Sequence, residues 1–237
     1  MRAKFGLALA GSAFALAIAG SASAQESDVG YMRAPVRGPR NALEIGVSAG
    51  YTQGFGNLEA GESVRDTANA GAGFGLNIDH RVVPSFSYGL DGTFQQFDVN
   101  DRVGRGTDVR GMTVGAHGTF HLAPYQRIDP TITLGTGYRM LWQAPEGDNN
   151  NILTHGIQLA KLNLGLDIRV SDSVALGPMG GADLNLFMWR NPEGSAGNAR
   201  VEDTGVSTFV YAGVQGRFDV GGQRSTKIET IESASRR

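Results

Sequence analysis

Apolar and polar residues alternate along most of the chain with a period of two, the spacing that sends successive side chains to opposite faces of a pleated strand. The stretch from Arg127 to Trp142 shows it best. Ile128, Ile132, Leu134, Tyr138, Met140 and Trp142 share one parity, and Asp129, Thr131, Thr133, Gly135, Gly137 and Arg139 share the other. Roughly fifteen residues at about 3.3 Å each is long for a soluble strand and suits a tilted membrane-crossing one.

The same pattern predicts seven further strands. Leu43, Ile45, Val47, Ala49 and Tyr51 oppose Glu44, Gly46, Ser48, Gly50 and Thr52, and Phe74, Leu76 and Ile78 oppose Asn77, Asp79 and Arg81. Phe86, Tyr88, Leu90 and Phe94 oppose Asp91 and Gln95, while Met112, Val114, Ala116 and Phe120 oppose Thr113, His117 and His121. After Trp142 a run rich in turn formers precedes a sixth strand, where Leu162, Leu164, Leu166 and Ile168 face away from Lys161, Asn163, Asp167 and Arg169. In the seventh, Leu176, Leu184 and Leu186 oppose Asp183 and Asn185, with a bulge expected at Pro178 and Met179. The eighth, Val206 to Val220, sets Val210, Val214 and Phe218 against Tyr211, Gln215, Arg217 and Asp219.

The connections alternate between about three to five residues and about ten to sixteen. That is the rhythm of an all-β, eight-stranded antiparallel up-and-down transmembrane β-barrel, with short periplasmic turns, four long external loops and both termini in the periplasm. An even count lets the sheet close on itself and leaves no free edge.

Composition sharpens this reading. Arg2, Lys4, an apolar run from Phe5 to Gly20 and Ala22-Ser23-Ala24 predict a secretory signal peptide over residues 1–24. The barrel is then expected over 42–220, between an Arg-bearing periplasmic segment at 25–41 and a short periplasmic tail at 221–237. The chain has no cysteine, which rules out a lipid-anchored lipoprotein and any disulfide. A net charge of -2 argues against a nucleic-acid partner. Glycine, 35 of 237 residues, lies mostly inside the alternating stretches, which separates the chain from a disordered one.

Alternation alone does not say which face is inside. A soluble lipocalin-like barrel would fill its centre with the apolar parity. Here the other parity is crowded with Gly, Ser and Thr, which suits a narrow lumen. It also carries Glu44, Asp79, Asp91, Asp167, Asp183 and Asp219 with Arg81, Arg139, Lys161, Arg169 and Arg217. Charges of nearly balanced sign in a small lumen are costly unless paired, so an interior network of ion pairs is expected. Tyr51, Phe94, Trp142 and Trp189 near one set of strand ends, and Phe86, Tyr88, Phe120 and Phe218 near the other, predict two aromatic girdles against outer-membrane lipid and lipopolysaccharide.

The last strand, Tyr211-Ala212-Gly213-Val214-Gln215-Gly216-Arg217-Phe218, resembles the closing strand of small outer-membrane barrels related to the transmembrane domain of outer-membrane protein A and its OmpX- and OmpW-like relatives. The resemblance spans about residues 42 to 220 and rests on pattern more than on a specific motif. It implies that Phe218 is the insertion signal read by the barrel-assembly machinery of a Gram-negative envelope. The tail after Phe218 then makes that signal internal, and it is too short for a peptidoglycan-binding domain of the usual size.

No cofactor, metal or catalytic residue is assigned. His117 and His121 lie about 13 Å apart along one strand, too far to share a metal, and are read as lumen hydrogen-bonding groups. His80 is read as interfacial, and His155, beside a long loop next to Thr154, has no obvious nucleophile in sequence. Loop carboxylates at Asp98, Asp101, Glu146 and Asp148 lack EF-hand spacing. The expected role is structural or interactive, with a filled polar lumen and an unidentified external ligand. A narrow channel for ions or small solutes is the alternative, followed by a lipid-modifying enzyme and a soluble periplasmic ligand-binding barrel.

Overall fold

The computed structural model describes residues 38–59, 61–98, 107–145, 151–192, 199–201 and 204–224. The expected signal peptide, most of the 25–41 segment and of the tail, and the loop carboxylates Asp101, Glu146 and Asp148 lie outside the described residues.

Eight long strands form the wall: β1 (Ala42–Glu59), β3 (Ala70–Val83), β4 (Phe86–Phe97), β5 (Asp108–His121), β6 (Ile128–Ala144), β7 (Ile152–Arg169), β8 (Val174–Pro192) and β10 (Val206–Val220). Each pairs antiparallel with the next, and β10 pairs with both β8 and β1, so the sheet closes. Short elements decorate the long-loop rim: β2 (Glu62–Ser63) pairs with the end of β1, β9 (Ala199–Arg200) pairs with β8, and the one-turn helix α1 (Val64–Thr67) follows β2.

The alternation sorts the faces as a lipid-embedded barrel requires. Phe74, Leu90, Leu134, Leu164 and Val214 are exposed on the outside, while Glu44, Asp79, Arg81, Arg139, Asp167 and Arg169 are buried inside. An outer wall this apolar is stable only against hydrocarbon, which also forbids any unpaired strand edge.

Three details differ from the sequence expectation. First, β7 begins at Ile152, well before Lys161, and its upper half was hidden by a bulge. Gln158 pairs with Asn185 and Ala160 with Leu184, so Leu159 is an extra residue; both Leu159 and Ala160 point outward and the alternation changes phase. Second, there is no register shift at Pro178 and Met179. The β8–β10 register runs unbroken through Pro178↔Val214 and Met179↔Gly213; the proline gives up one ladder donor without shifting the pairing of its neighbours. Third, β1 continues to Glu59, so the first long loop is largely structured.

Candidate functional site

The lumen is built in layers, each set by the inward parity of the staves. At the short-turn rim Arg81 Nη1 donates to Glu44 Oε1 at 2.8 Å, and its Nη2 lies 3.8 Å from Asp129. Arg169 donates to Asp219 at 2.8 Å, and Arg217 ion-pairs Asp167 with Glu44 3.4 Å and Asp219 3.5 Å away. His121 Nδ1 sits 3.0 Å from Asp129. Arginine supplies this layer because its planar fork can serve several carboxylates at once.

One layer up, the His117 ring spans Asp79 and Asp91, with one nitrogen 2.9 Å from each. Asp91 also accepts from Lys161 Nζ at 2.6 Å, and Asn77 hydrogen-bonds Asp79. Gln215 ties the layers together by donating to Asp167 at 2.8 Å. Above that, Arg139 donates to Gln95 at 2.5 Å and to Asp183 at 3.3 Å, and Asp183 also accepts from Gln158 at 3.1 Å and Asn185 at 2.6 Å. The structure therefore places all eleven lumen charges of the sequence reading inside; ten lie within reach of an opposite charge, and Asp79 lies against the His117 ring.

Between these side chains runs a cavity of about 140 Å³, lined by Ser48, Thr93, Thr113, Asn163 and Gln158 among others. Thr113 Oγ1, Ser87 Oγ and Gln158 Oε1 are buried there without a protein partner, the condition that lumen water satisfies.

Both mouths are covered. At the short-turn rim the chain before β1 crosses the opening: the Gly38 N–H donates to the Pro124 carbonyl at 2.5 Å, and Gly38 and Pro39 are buried. A Cβ on Gly38 would lie 2.8 Å from Arg81 Nη2 and 3.1 Å from the Pro124 carbonyl oxygen, so a side chain there would push the guanidinium aside or lift the strap. Arg40 then bridges to Gln223, joining the two ends of the barrel chain.

At the long-loop rim the lumen turns apolar. Phe97, Val109, Leu141, Phe187 and Phe209 point inward from five staves and pack with Leu58, Val64 and Ala68 of the first loop. Outside, at the same height, Gln53, Gln96, Arg110 and Thr208 face away. The staves are 12 to 19 residues long, more than the about 9–11 that cross hydrocarbon, so this end stands clear of the lipid and reverts to a water-soluble polarity, greasy within and polar without. The lid is held by Ser63, whose side chain caps α1 at the Arg65 N–H, and by Glu62, which accepts from Thr67 at 2.8 Å and from Arg190 across the mouth at 3.0 Å. Arg139 joins the two regimes: its guanidinium carbon lies 3.4 Å from the centroid of Phe209.

The lid residues escaped the sequence reading, although a signal existed. Phe97, Val109, Leu141, Phe187 and Phe209 continue the polar parity just past the residues assigned to it. Of the girdle residues, Tyr51, Tyr88 and Phe120 are exposed on the outer wall and Phe86, Trp142 and Phe218 are half-buried there; Phe86 and Phe120 pair with ring centroids 5.1 Å apart. His80 contacts Asn41 at 2.9 Å and Tyr88 at 3.4 Å. His155 proves to lie within β7, where it stacks on Trp189 and hydrogen-bonds Tyr138 and Asn191.

Among the described residues, one group offers metal-ligand geometry: His121, Asp129 and Asp167, with ligand atoms within 4.8 Å of one another. Arg217 on Asp167 and Arg81 near Asp129 already supply the positive charge, so the group reads as part of the ion-pair layer.

No family model matches the sequence, and neither does any curated protein. Several solved structures are similar in shape. Neisserial surface protein A has a TM-score of 0.49 at 14% identity, covering 73% of this chain and 95% of its own. For OprG from Pseudomonas aeruginosa the score is 0.43 at 14% identity, over 77% of this chain and 99% of its own. The outer membrane protein AlkL in lipid bilayers scores 0.45 at 11% identity, over 86% of this chain and 100% of its own. On its own geometry, closed by β10 on β1 and apolar outside, this chain is an eight-stranded outer-membrane-type β-barrel.

Proposed function

We propose that this protein is a closed barrel of the outer membrane, an anchor whose work is done by its external rim and loops, with both termini in the periplasm. The observation that carries it is the obstruction of the lumen at three heights: the strap at Gly38 and Pro39, the ion-pair layers, and the apolar lid around Val64 and Phe209. An eight-stranded barrel is just wide enough for its own side chains to fill, and here they leave a cavity of about 140 Å³. The orientation is supported by the two strand ends at Ala42 and Val220, which share the rim of the short connections. Phe218, paired with Ile45 and Val174 on the outer wall, is the residue assigned to recognition by the assembly machinery. This role includes no catalytic step and no cofactor.

A second reading, a narrow path for ions, is favoured by the polar cavity and its unpartnered oxygens at Thr113 and Gln158. Planar-bilayer recording of the refolded barrel decides between them. A closed anchor gives no resolved open steps across the voltage range the bilayer tolerates. Reproducible ohmic steps would instead make the barrel a channel.

A further inference from the structure

The strap ahead of β1 and the chain that leaves β10 meet at the short-turn mouth. From the foot of β1 the strap runs to the Pro124 carbonyl, which follows β5 on the far side of the eight-stave ring. Gly38 to Asn41 spans about 13 Å at about 3.3 Å per residue, enough to cross a barrel whose interior just holds its own side chains. Asn41 starts the crossing. It is the one non-glycine residue with positive φ, 54°, among the described residues, and its side-chain oxygen lies 2.9 Å from His80 Nε2 on the outer wall. Asparagine tolerates that left-handed conformation better than most residues. The strap is then gripped by the tail. Arg40 and Gln223 exchange both backbone hydrogen bonds at 2.8 Å. Gly221 and Gly222, at φ 70° and 81°, turn the chain from β10 back over the strap, and a Cβ on Gly222 would lie 2.6 Å from Ala42 Cβ and 3.1 Å from Pro39 Cβ. Arg224 ties the far side of this turn to the Asp172 carbonyl at 2.5 Å.

None of these bonds belongs to the ladder of the staves, since β1 begins at Ala42 and β10 ends at Val220. Under the strap lies Arg81, and the polar cavity reaches Glu44, His121 and Arg217 of the same ionic layer. A segment fixed by a few hydrogen bonds at a rim opens far more readily than strands paired on both sides, so it can leave while the barrel stays closed. We propose that the strap is a releasable plug: residues 38–40 shut the polar lumen at the short-turn mouth, and the Arg40–Gln223 clasp with the Gly221–Gly222 turn is the latch that keeps it shut. The latch couples the two ends of the barrel chain, because displacing the tail at Gln223 frees the strap. The plug rests on the closed-barrel reading and makes one of its three obstructions movable, while the ionic layers and the apolar lid stay in place.

The chain has no cysteine, so one introduced thiol is a clean reporter. Ser87 is buried on the inner face of β4 near this rim and lines the cavity, and its hydroxyl has no protein partner, so Ser87→Cys disturbs little. Alkylation of that thiol by iodoacetamide is timed by mass shift in the refolded full-length barrel, alone and combined with Gly222→Val or Gln223→Pro. Valine clashes with Pro39 at a left-handed position, and proline removes the N–H that bonds the Arg40 carbonyl. Ser171→Cys, exposed in the β7–β8 turn, gives the unhindered rate. The expected result is slow alkylation of Ser87→Cys that accelerates by about tenfold or more in both latch variants, the change in an opening equilibrium that loss of one or two hydrogen bonds produces. Alkylation of Ser87→Cys at the Ser171→Cys rate with the latch intact shows that the strap seals nothing and overturns the plug. So does a slow rate that neither latch variant changes. Gel mobility of the unboiled protein is read in the same samples. A Ser87→Cys chain without the faster unboiled band sinks the closed-barrel reading itself. Latch variants that lose the band while their parent keeps it overturn the plug alone, since the strap would then be part of what holds the barrel together.

Discussion

Val64 of the lid occupies the space above Gly54 of the wall: a Cβ built on Gly54 would lie 2.3 Å from Val64 Cγ1 and 3.0 Å from the Phe209 ring. The lid therefore depends on a missing side chain in β1. Gly54→Leu forces Val64 out of the mouth at a cost of about 1–3 kcal/mol, the usual range for overpacking. Limited proteolysis reads the effect. Cleavage after Arg65 accelerates while the boiled-versus-unboiled mobility difference persists, because the stave pairing does not involve the lid. Unchanged cleavage kinetics would refute this dependence.

Arg81 and Glu44 form a buried pair at 2.8 Å, both almost fully shielded from solvent. Removing one partner strands the other charge in the lumen, which typically costs about 3–5 kcal/mol. Arg81→Leu is expected to lower unfolding stability in urea by that amount, since Asp129 also loses a counter-charge. Glu44→Leu/Arg81→Leu is expected to cost far less than the sum of the single changes. Additive losses would show that the two act independently.

Much of this architecture is legible in the sequence because one physical rule, alternation, writes both faces of every stave. Where a second rule intervenes, legibility ends. Leu159 and Ala160 both face outward at a bulge, so the upper half of β7 with His155 falls out of phase and reads as loop. Phe97 and Phe209 face inward because the barrel end leaves the lipid, and a fixed assignment of apolar to outside cannot register that inversion. Charges such as Asp79, Asp91 and His117 can be placed on the inner face from parity. That one imidazole sits between both carboxylates depends on the pairing register of the neighbouring staves β3, β4 and β5, which no local pattern encodes.

The contact of Arg139 with Phe209, 3.4 Å from guanidinium carbon to ring centroid, couples the uppermost ionic layer to the lid. A desolvated cation–π contact of this kind is worth up to about 2 kcal/mol. Phe209→Leu keeps an apolar side chain, though a smaller one, and removes the ring, so it is expected to destabilise the barrel by about 1–2 kcal/mol in chemical unfolding. In an Arg139→Met background the same substitution is expected to cost measurably less. Equal costs in both backgrounds would assign the effect to packing alone.

Leu164 is the sharpest probe of which face meets lipid. It is 53% exposed within the outward-facing run of the lower half of β7, while its neighbour Asn163 points into the lumen. An arginine in place of an outward residue near the bilayer midplane costs about 2–4 kcal/mol, since the charge must be dragged toward the interface or hydrated in place. Leu164→Arg is therefore expected to reduce stability by that amount when unfolding is measured in lipid vesicles, and the penalty shrinks in short-chain detergent micelles, where water reaches the wall. Asn163→Leu removes only one lumen amide and is expected to be the milder change. If Asn163→Leu proved the damaging substitution and Leu164→Arg neutral, the apolar face would have to lie inside and the chain would be a soluble barrel.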